Sequence, residues 1–176
     1  MKMFCLIGVG LALAVGAAKG QSAGPRIPAL HGAVLTGETV DLPDALRGKV
    51  GVLVIGFSQS SRDQVTAWGK RLSLDYRDSG SVLYYEMPVL ASVPKLIRGW
   101  VLGKIKGSVP PRAQSRFLPV VDHEGDWKAA AGFGAADDAY ILVVDGNGVV
   151  RWKTEGGASD ATYAEVKRHV EDTRSK

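Results

Sequence analysis

Cysteine is the scarcest reactive residue in this chain: among 176 residues only Cys5 carries a thiol. One cysteine excludes an internal disulfide, a Cys-x-x-Cys redox pair and a thiolate metal cage. Cys5 itself falls in a segment that reads as an export signal. Lys2 gives a positive start, residues 6–18 form an apolar core, and Ala18-Lys19-Gly20 puts small residues at the two cleavage-determining positions before Gln21. Cleavage there leaves a chain with no thiol at all. A lipoprotein signal does not fit, because Cys5 precedes the apolar core instead of following it. The apolar run is also shorter than the roughly 20 residues that span a bilayer, so an uncleaved anchor is the secondary reading. The expected setting is extracytoplasmic: periplasmic or secreted, in a bacterial envelope.

Internal repeats are absent too, and so is any strong overall charge. Without residues 1–20 the formal charge falls from +4 to +2, because Lys2 and Lys19 leave and no acid does. That balance does not argue for nucleic acid. One local absence is more informative. Between residues 87 and 121 there is no Asp or Glu, while Lys95, Arg98, Lys104, Lys106, Arg112 and Arg116 all fall there. The remaining length of about 150 residues suits one domain with its own core. We place a lead-in at 21–32, the domain at 33–172 and a short tail at 173–176.

The patterning of that domain is α/β. Residues 33–35 and 39–42 flank Thr36-Gly37-Glu38 like a short hairpin. Residues 50–57 are continuously apolar, as in a central strand covered on both faces. Ser60 or Ser61 caps a helix with Val65, Trp68 and Leu72 on one face, and Asp78-Ser79-Gly80 ends it. Residues 82–89 form a second, parallel strand reached by a right-handed crossover. Val93, Leu96, Ile97, Trp100, Val101 and Ile105 then make a helical stripe with the basic residues mostly off it. The segment 117–121 reads as a short strand, 127–133 as a short helix and 140–144 as a strong strand. Asp145-Gly146-Asn147-Gly148 turns the chain into an antiparallel partner at 149–153, and 161–170 closes it as a helix capped near Ser159 or Asp160.

That order, with the strand-to-helix delivery at residues 50–68, resembles the thioredoxin superfamily in its peroxiredoxin-like and extracytoplasmic branches, with an N-terminal β-hairpin extension. The resemblance implies a central mixed sheet flanked by helices. In the redox members a Cys-x-x-Cys pair sits at the start of the first long helix, where free N–H groups and the helix dipole stabilise a thiolate. Aligned from the strand, Ser61 and Gln64 occupy those positions. A cis-proline normally precedes the strand that leads into the hairpin; here the corresponding residues are Ala139 and Tyr140, and a non-proline cis bond costs about 2.5–4 kcal/mol. The expected backbone is therefore trans and the substrate groove reshaped. More narrowly, Gly56-Phe57-Ser58-Gln59-Ser60-Ser61 with Trp68, the basic Trp100 helix, and Ala139-Tyr140-Ile141-Leu142-Val143-Val144-Asp145 followed by Val149-Val150-Arg151-Trp152 are similar to the mitochondrial ATP-synthase assembly factor family that acts on the membrane sector. That family's signature runs Gly-Tyr-apolar-Tyr-Leu-Val-Asp, a turn, then Ile-Arg-Trp. Ala139 and Leu142 depart from it.

Three other constellations compete with this reading. Gly56-Phe57-Ser58-Gln59-Ser60 has the outline of a nucleophile elbow, and Asp145 and His169 follow in hydrolase order. The final glycine is replaced by Ser60, however, and no His-Gly-Gly segment precedes the strand. Asp122-His123-Glu124-Gly125-Asp126 gathers metal-ligand types but lacks a second histidine or cysteine at metal-binding spacing, so a turn capping the next helix is the plainer account. Arg151 and Trp152 face opposite sides of a strand; Trp152 reads as core, and Arg151 beside residues 58–64 would form part of a recognition surface. His31 reads as a loop residue.

The sequence therefore predicts a thioredoxin-like domain without thiol chemistry, metal or cofactor, acting as an accessory or assembly factor on a protein or membrane-associated partner. Its binding residues are expected among Ser58, Ser61, Arg62 and Arg151, and on the basic segment 93–116 through Lys95, Arg98, Lys104 and Lys106, facing an anionic membrane or an acidic partner. The alternatives are an oxidoreductase by descent and a serine hydrolase using Ser58. The apolar stripe is expected to pack its helix on the sheet; if that packing is all the segment does, the basic residues are only a solvated face.

Overall fold

A computed structural model describes residues 24–175, so the expected export segment lies outside the described residues. The chain runs β1 (Leu30–Ala33), β2 (Thr39–Leu42), β3 (Val50–Gly56), α1 (Arg62–Tyr76), β4 (Val82–Pro88), α2 (Lys95–Ser108), α3 (Glu124–Ala131), β5 (Ala139–Val144), β6 (Val150–Glu155) and α4 (Asp160–Arg174). Four strands make one sheet in the order β4-β3-β5-β6. Strand β3 pairs parallel with β4 and antiparallel with β5, and β5 pairs antiparallel with β6. The expected mixed sheet with β3 inside it is thus present.

The continuous apolar run in β3 has the cause assigned to it: every one of its residues is buried, because both faces of the sheet are covered. On one face Val52, Val54, Tyr84, Ile141 and Val143 pack against Val65, Trp68 and Leu72 of α1 and Val166 and Val170 of α4. On the other, Leu53, Ile55, Tyr85, Met87, Tyr140 and Leu142 pack against the β1–β2 hairpin, through Leu30, Val40 and Leu42, and against Trp127 and Ala131 of α3. Trp68 also ties α1 to the chain beyond β6, its Nε1 donating to the Gly156 carbonyl at 2.8 Å.

Several boundaries differ from the sequence reading. Strand β1 begins at Leu30, inside the expected lead-in, and Ile27 before it is already in the core. The segment 117–120 does not form a full strand. It runs beside β4 and the residue that follows it through two parallel bridges, Phe117 to Glu86 and Val120 to Val89, and Pro119 between them has no N–H to donate. In the Asp145 turn the positive φ falls on Gly148, with φ 79°, and the Asp145 carboxylate accepts the N–H groups of Asn147 and Val149. Helix α4 is capped by Ser159, whose Oγ accepts the Thr162 N–H at 3.1 Å. The sheet ends at β6, where Arg151, Lys153 and Glu155 stand exposed in alternation.

Candidate functional site

The C-terminal ends of the parallel strands β3 and β4 are the place where open α/β sheets put their sites, and residues 58–64 lie there. The chain leaves β3 through Phe57 into a tight serine turn. Ser58 Oγ accepts the N–H groups of Ser60 and Ser61 at 3.0 and 3.3 Å and donates to the Ala136 carbonyl at 2.7 Å. Ser61 stands at the N-cap position of α1 but makes no side-chain cap bond, because its own backbone is already helical. Its buried hydroxyl points back instead, donating to the Ser58 carbonyl at 2.9 Å. Gly56 is required beneath it: a Cβ there would come within 2.7 Å of Ser61 Oγ and 2.9 Å of Val65 Cγ2.

Gln64, the other lost-cysteine position, accepts the Ala139 N–H on its Oε1 at 3.0 Å, and the Ala139 carbonyl accepts from Gly156 N at 2.8 Å. Ala139 and Tyr140 follow ordinary trans bonds; the cis bond among the described residues is Leu42–Pro43. The first residue of β5 therefore has neither backbone group free. Ser61 serves the turn and not a partner, which removes it from the accessible surface; Gln59, Ser60 and Arg62 are the exposed groups at this pole. Gln64→Ala is expected to cost about 1–3 kcal/mol, since it leaves a buried N–H unpaired. Urea melts check this, and an unchanged midpoint would mean that the contact carries no weight.

The remaining candidates do not converge on this pole. Asp145 follows the far end of β5, where Val144 pairs near the start of β3, about 17 Å along the strands from Ala139. It holds Arg151, whose Nε donates to Asp145 Oδ2 at 2.8 Å. Burial pushes the Asp145 carboxyl up, but the N–H groups of Val149 and Asn147 together with Arg151 outweigh it and hold it below the usual range. Arg151 is thus locked into the hairpin at the opposite pole and does not join residues 58–64, correcting that expectation. Strand alternation fixes the face of a residue, not the end of the sheet at which it sits. His169 lies in α4, stacked on Trp152 with ring centroids 4.5 Å apart, and burial lowers its pKa. Ser58, Asp145 and His169 form no hydrolase triad, and the Ser58 proton is already given to Ala136. Trp152 is half-buried against the α1–α4 face. In the 122–126 cluster, Glu124 is paired with Lys128 at 2.7 Å and His123 adopts a left-handed backbone that starts α3. His31 is on β1, exposed and paired with Asp41.

Helix α2 leaves the same pole after β4, and it departs furthest from expectation. None of its residues is buried. Leu96 is 99% exposed, Trp100 67% and Ile97 49%, whereas Val101, Leu102 and Ile105 on the opposite side are half-covered. The stripe does not pack on the sheet, because α1 with α4 and the hairpin with α3 have already filled both faces. The basic residues divide as well. Arg98 turns inward, its Nη2 donating to the Val93 carbonyl at 3.0 Å and to Ala91 at 3.4 Å, so it supports the approach to the helix. Lys95, Lys104 and Lys106 stay exposed, with Lys104 Nζ 5.6 Å from the Trp100 ring centre. Arg116 is also used internally, donating to the Arg77 carbonyl and lying over Tyr84.

Comparison with known proteins decides the family. The family model described as ATP10 protein matches residues 21–172. The chain belongs to the ATP10 family. The mitochondrial ATPase complex subunit ATP10 of Eremothecium gossypii is 25% identical over 142 residues, which is 74% of this chain and 50% of that protein. The chain thus spans about half the length of the curated relative it matches. Among solved structures, the exposed lipoprotein thioredoxin of Streptococcus pneumoniae superposes with a TM-score of 0.57 at 17% identity, covering 80% of this chain and 99% of that one. The thioredoxin domain of a Bacteroides vulgatus thiol-disulfide oxidoreductase gives 0.56 at 18% identity, covering 85% and 98%. These likenesses show the fold: this ATP10 family member is thioredoxin-like.

One residue of this ATP10 domain escaped the sequence reading. Glu86 lies in the middle of β4, buried, with no side-chain hydrogen bond or ion pair among the described residues, and burial pushes its carboxyl up to about 7. It packs on Gly69 of α1, where a Cβ would fall 2.2 Å from its Cδ. The available signal was an acid inside an otherwise apolar strand opposite a glycine on the buried face of a helix.

Proposed function

We propose that this chain is a non-redox assembly or accessory factor that binds a polypeptide partner at the C-terminal pole of β3 and β4, working at an anionic membrane surface in a bacterial envelope. One observation carries the reading. In a fold shared with thiol oxidoreductases, the two cysteine positions hold Ser61, tied to the Ser58 carbonyl, and Gln64, tied to the Ala139 N–H. Both side chains work inside the structure and neither can cycle electrons. The fungal relative's place in a mitochondrial ATPase complex points to a multisubunit membrane enzyme as the class of partner. Residues 1–20, read as an export signal, would deliver the domain to the outer side of the inner membrane.

A photo-crosslinking residue placed at Arg62, at this pole, is expected to give a discrete protein adduct in envelope membranes. The same residue at Asn147, exposed at the other pole, is expected to give none. Insulin reduction by the purified protein should match buffer alone. Adducts equal at both positions, no adduct at either, or thiol-reductase activity would each overturn the proposal.

A further inference from the structure

We infer that α2 is an interfacial helix that lies flat on an anionic bilayer, with Leu96, Ile97 and Trp100 seated at the headgroup–acyl boundary and Lys95, Lys104 and Lys106 on lipid phosphates. The inference rests on the assembly-factor reading only in placing the domain beside a membrane. Its own support is the conjunction of exposure and charge on one short helix. Helical spacing of 100° per residue puts Leu96, Trp100 and Ile97 within one outward arc, and the same arc carries Lys104. A soluble domain gains nothing by presenting a leucine at 99% exposure beside an exposed tryptophan.

The charge around that arc names the occupant. No acid occurs from residue 87 to 121, and Lys95, Lys104, Lys106 and Arg112 make no ion pair among the described residues. Lys104 lies inside that arc, and Lys95 and Lys106 stand about 80–100° beyond Leu96 on one flank. An exposed apolar arc with tryptophan and lysines beside it is the composition of a helix lying in a membrane interface. A water-filled acidic protein groove would use the lysines but would leave Leu96 and Trp100 without a reason. No helix among the described residues is long and apolar enough to cross a membrane, so α2, at 14 residues, lies on the surface and does not span it.

Trp100 gives a local readout. Trp68 and Trp127 are fully buried and Trp152 is half-buried, so the Trp100→Phe protein supplies the background for the whole chain. Adding vesicles of phosphatidylglycerol and phosphatidylcholine should shift the Trp100 component of the emission to the blue, and lipids brominated along the acyl chain should quench it. Pure phosphatidylcholine vesicles should do neither. Lys95→Gln/Lys104→Gln/Lys106→Gln should weaken that partition at low salt by roughly a hundred-fold, as three lysines near an anionic surface imply, while Arg98 is left in place because it braces the helix. A Trp100 signal that does not move on anionic vesicles, or that moves equally on neutral ones, overturns the inference; an Arg62 adduct persisting in that case would leave the assembly-factor reading standing with a protein as the occupant of α2.

Discussion

Leu53→Asp is expected to leave the domain unfolded. Leu53 is fully buried in β3, registered between Tyr85 of β4 and Leu142 of β5, on the face covered by the hairpin and α3. A carboxylate placed there meets no cation. Burying an unpaired charge costs several kcal/mol, and the lost leucine burial adds about 1.5–3 kcal/mol, against a total stability of about 5–15 kcal/mol for a domain of this kind. Ile141→Asp repeats the test on the other face, where Ile141 is registered with Val54. The control is Leu74→Lys, in the last turn of α1 but 81% exposed, which should change stability by no more than about 0.5 kcal/mol. Circular dichroism and urea melts separate these outcomes. A cooperative melt of Leu53→Asp near the parent midpoint would mean that the core lies elsewhere.

Glu86→Gln should stabilise the domain at alkaline pH and leave it unchanged in acid. The Glu86 carboxyl is pushed up from 4.5 to about 7 by burial. Below pH 4.5 both folded and unfolded chains hold the proton, and the group is neutral in its effect. As pH rises from 4.5 towards 7 the unfolded chain releases the proton while the folded chain keeps it, so stability falls through that window and stays low above it. The shift corresponds to a penalty on the order of 3 kcal/mol at pH 8. Glutamine keeps the shape of the protonated acid and cannot ionise, so the variant should gain up to that amount at pH 8 and nothing at pH 4. Asp75 and Asp145, both held below the usual carboxylate range, contribute stability that is lost as pH falls. They are common to parent and variant and cancel in the difference. Parallel pH profiles for the two proteins would mean that Glu86 does not feel its burial.

The strands and helices were legible because their periods are local: a short Val/Ile-rich apolar run such as 50–57 reads as a strand covered on two sides, and the spacing of Val65, Trp68 and Leu72 gives a helical face. What a face packs against is not local. The α2 stripe has the same period as α1, yet α1 and α4 cover one face of the sheet and the hairpin and α3 cover the other. Arg151 was misplaced for a related reason, since β5 runs the length of the sheet away from the serine turn and Arg151 stands at the start of β6, before the chain returns. Ser58 holds the turn ahead of α1 while Ser61 makes no cap bond, because capping depends on backbone angles that a run of serines leaves open. Glu86 went unnoticed because its environment is assembled from α1 and β4, which touch only in the folded state.

The two rims of the sheet limit how a partner can be held. Beside β4 the backbone is occupied by residues 117–120, with Pro119 breaking the row of donors, and beside β6 the outward positions are Arg151, Lys153 and Glu155. Proline and alternating charge are the means by which natural edges refuse another strand. An extended peptide is therefore kept off the β4 edge, while at β6 it meets residues 25–27 paired beside residues 148–150 and a charged row beyond them. A polypeptide partner of the kind proposed would then be gripped largely by side chains, and selectivity would reside in its surface shape and charge more than in its local backbone.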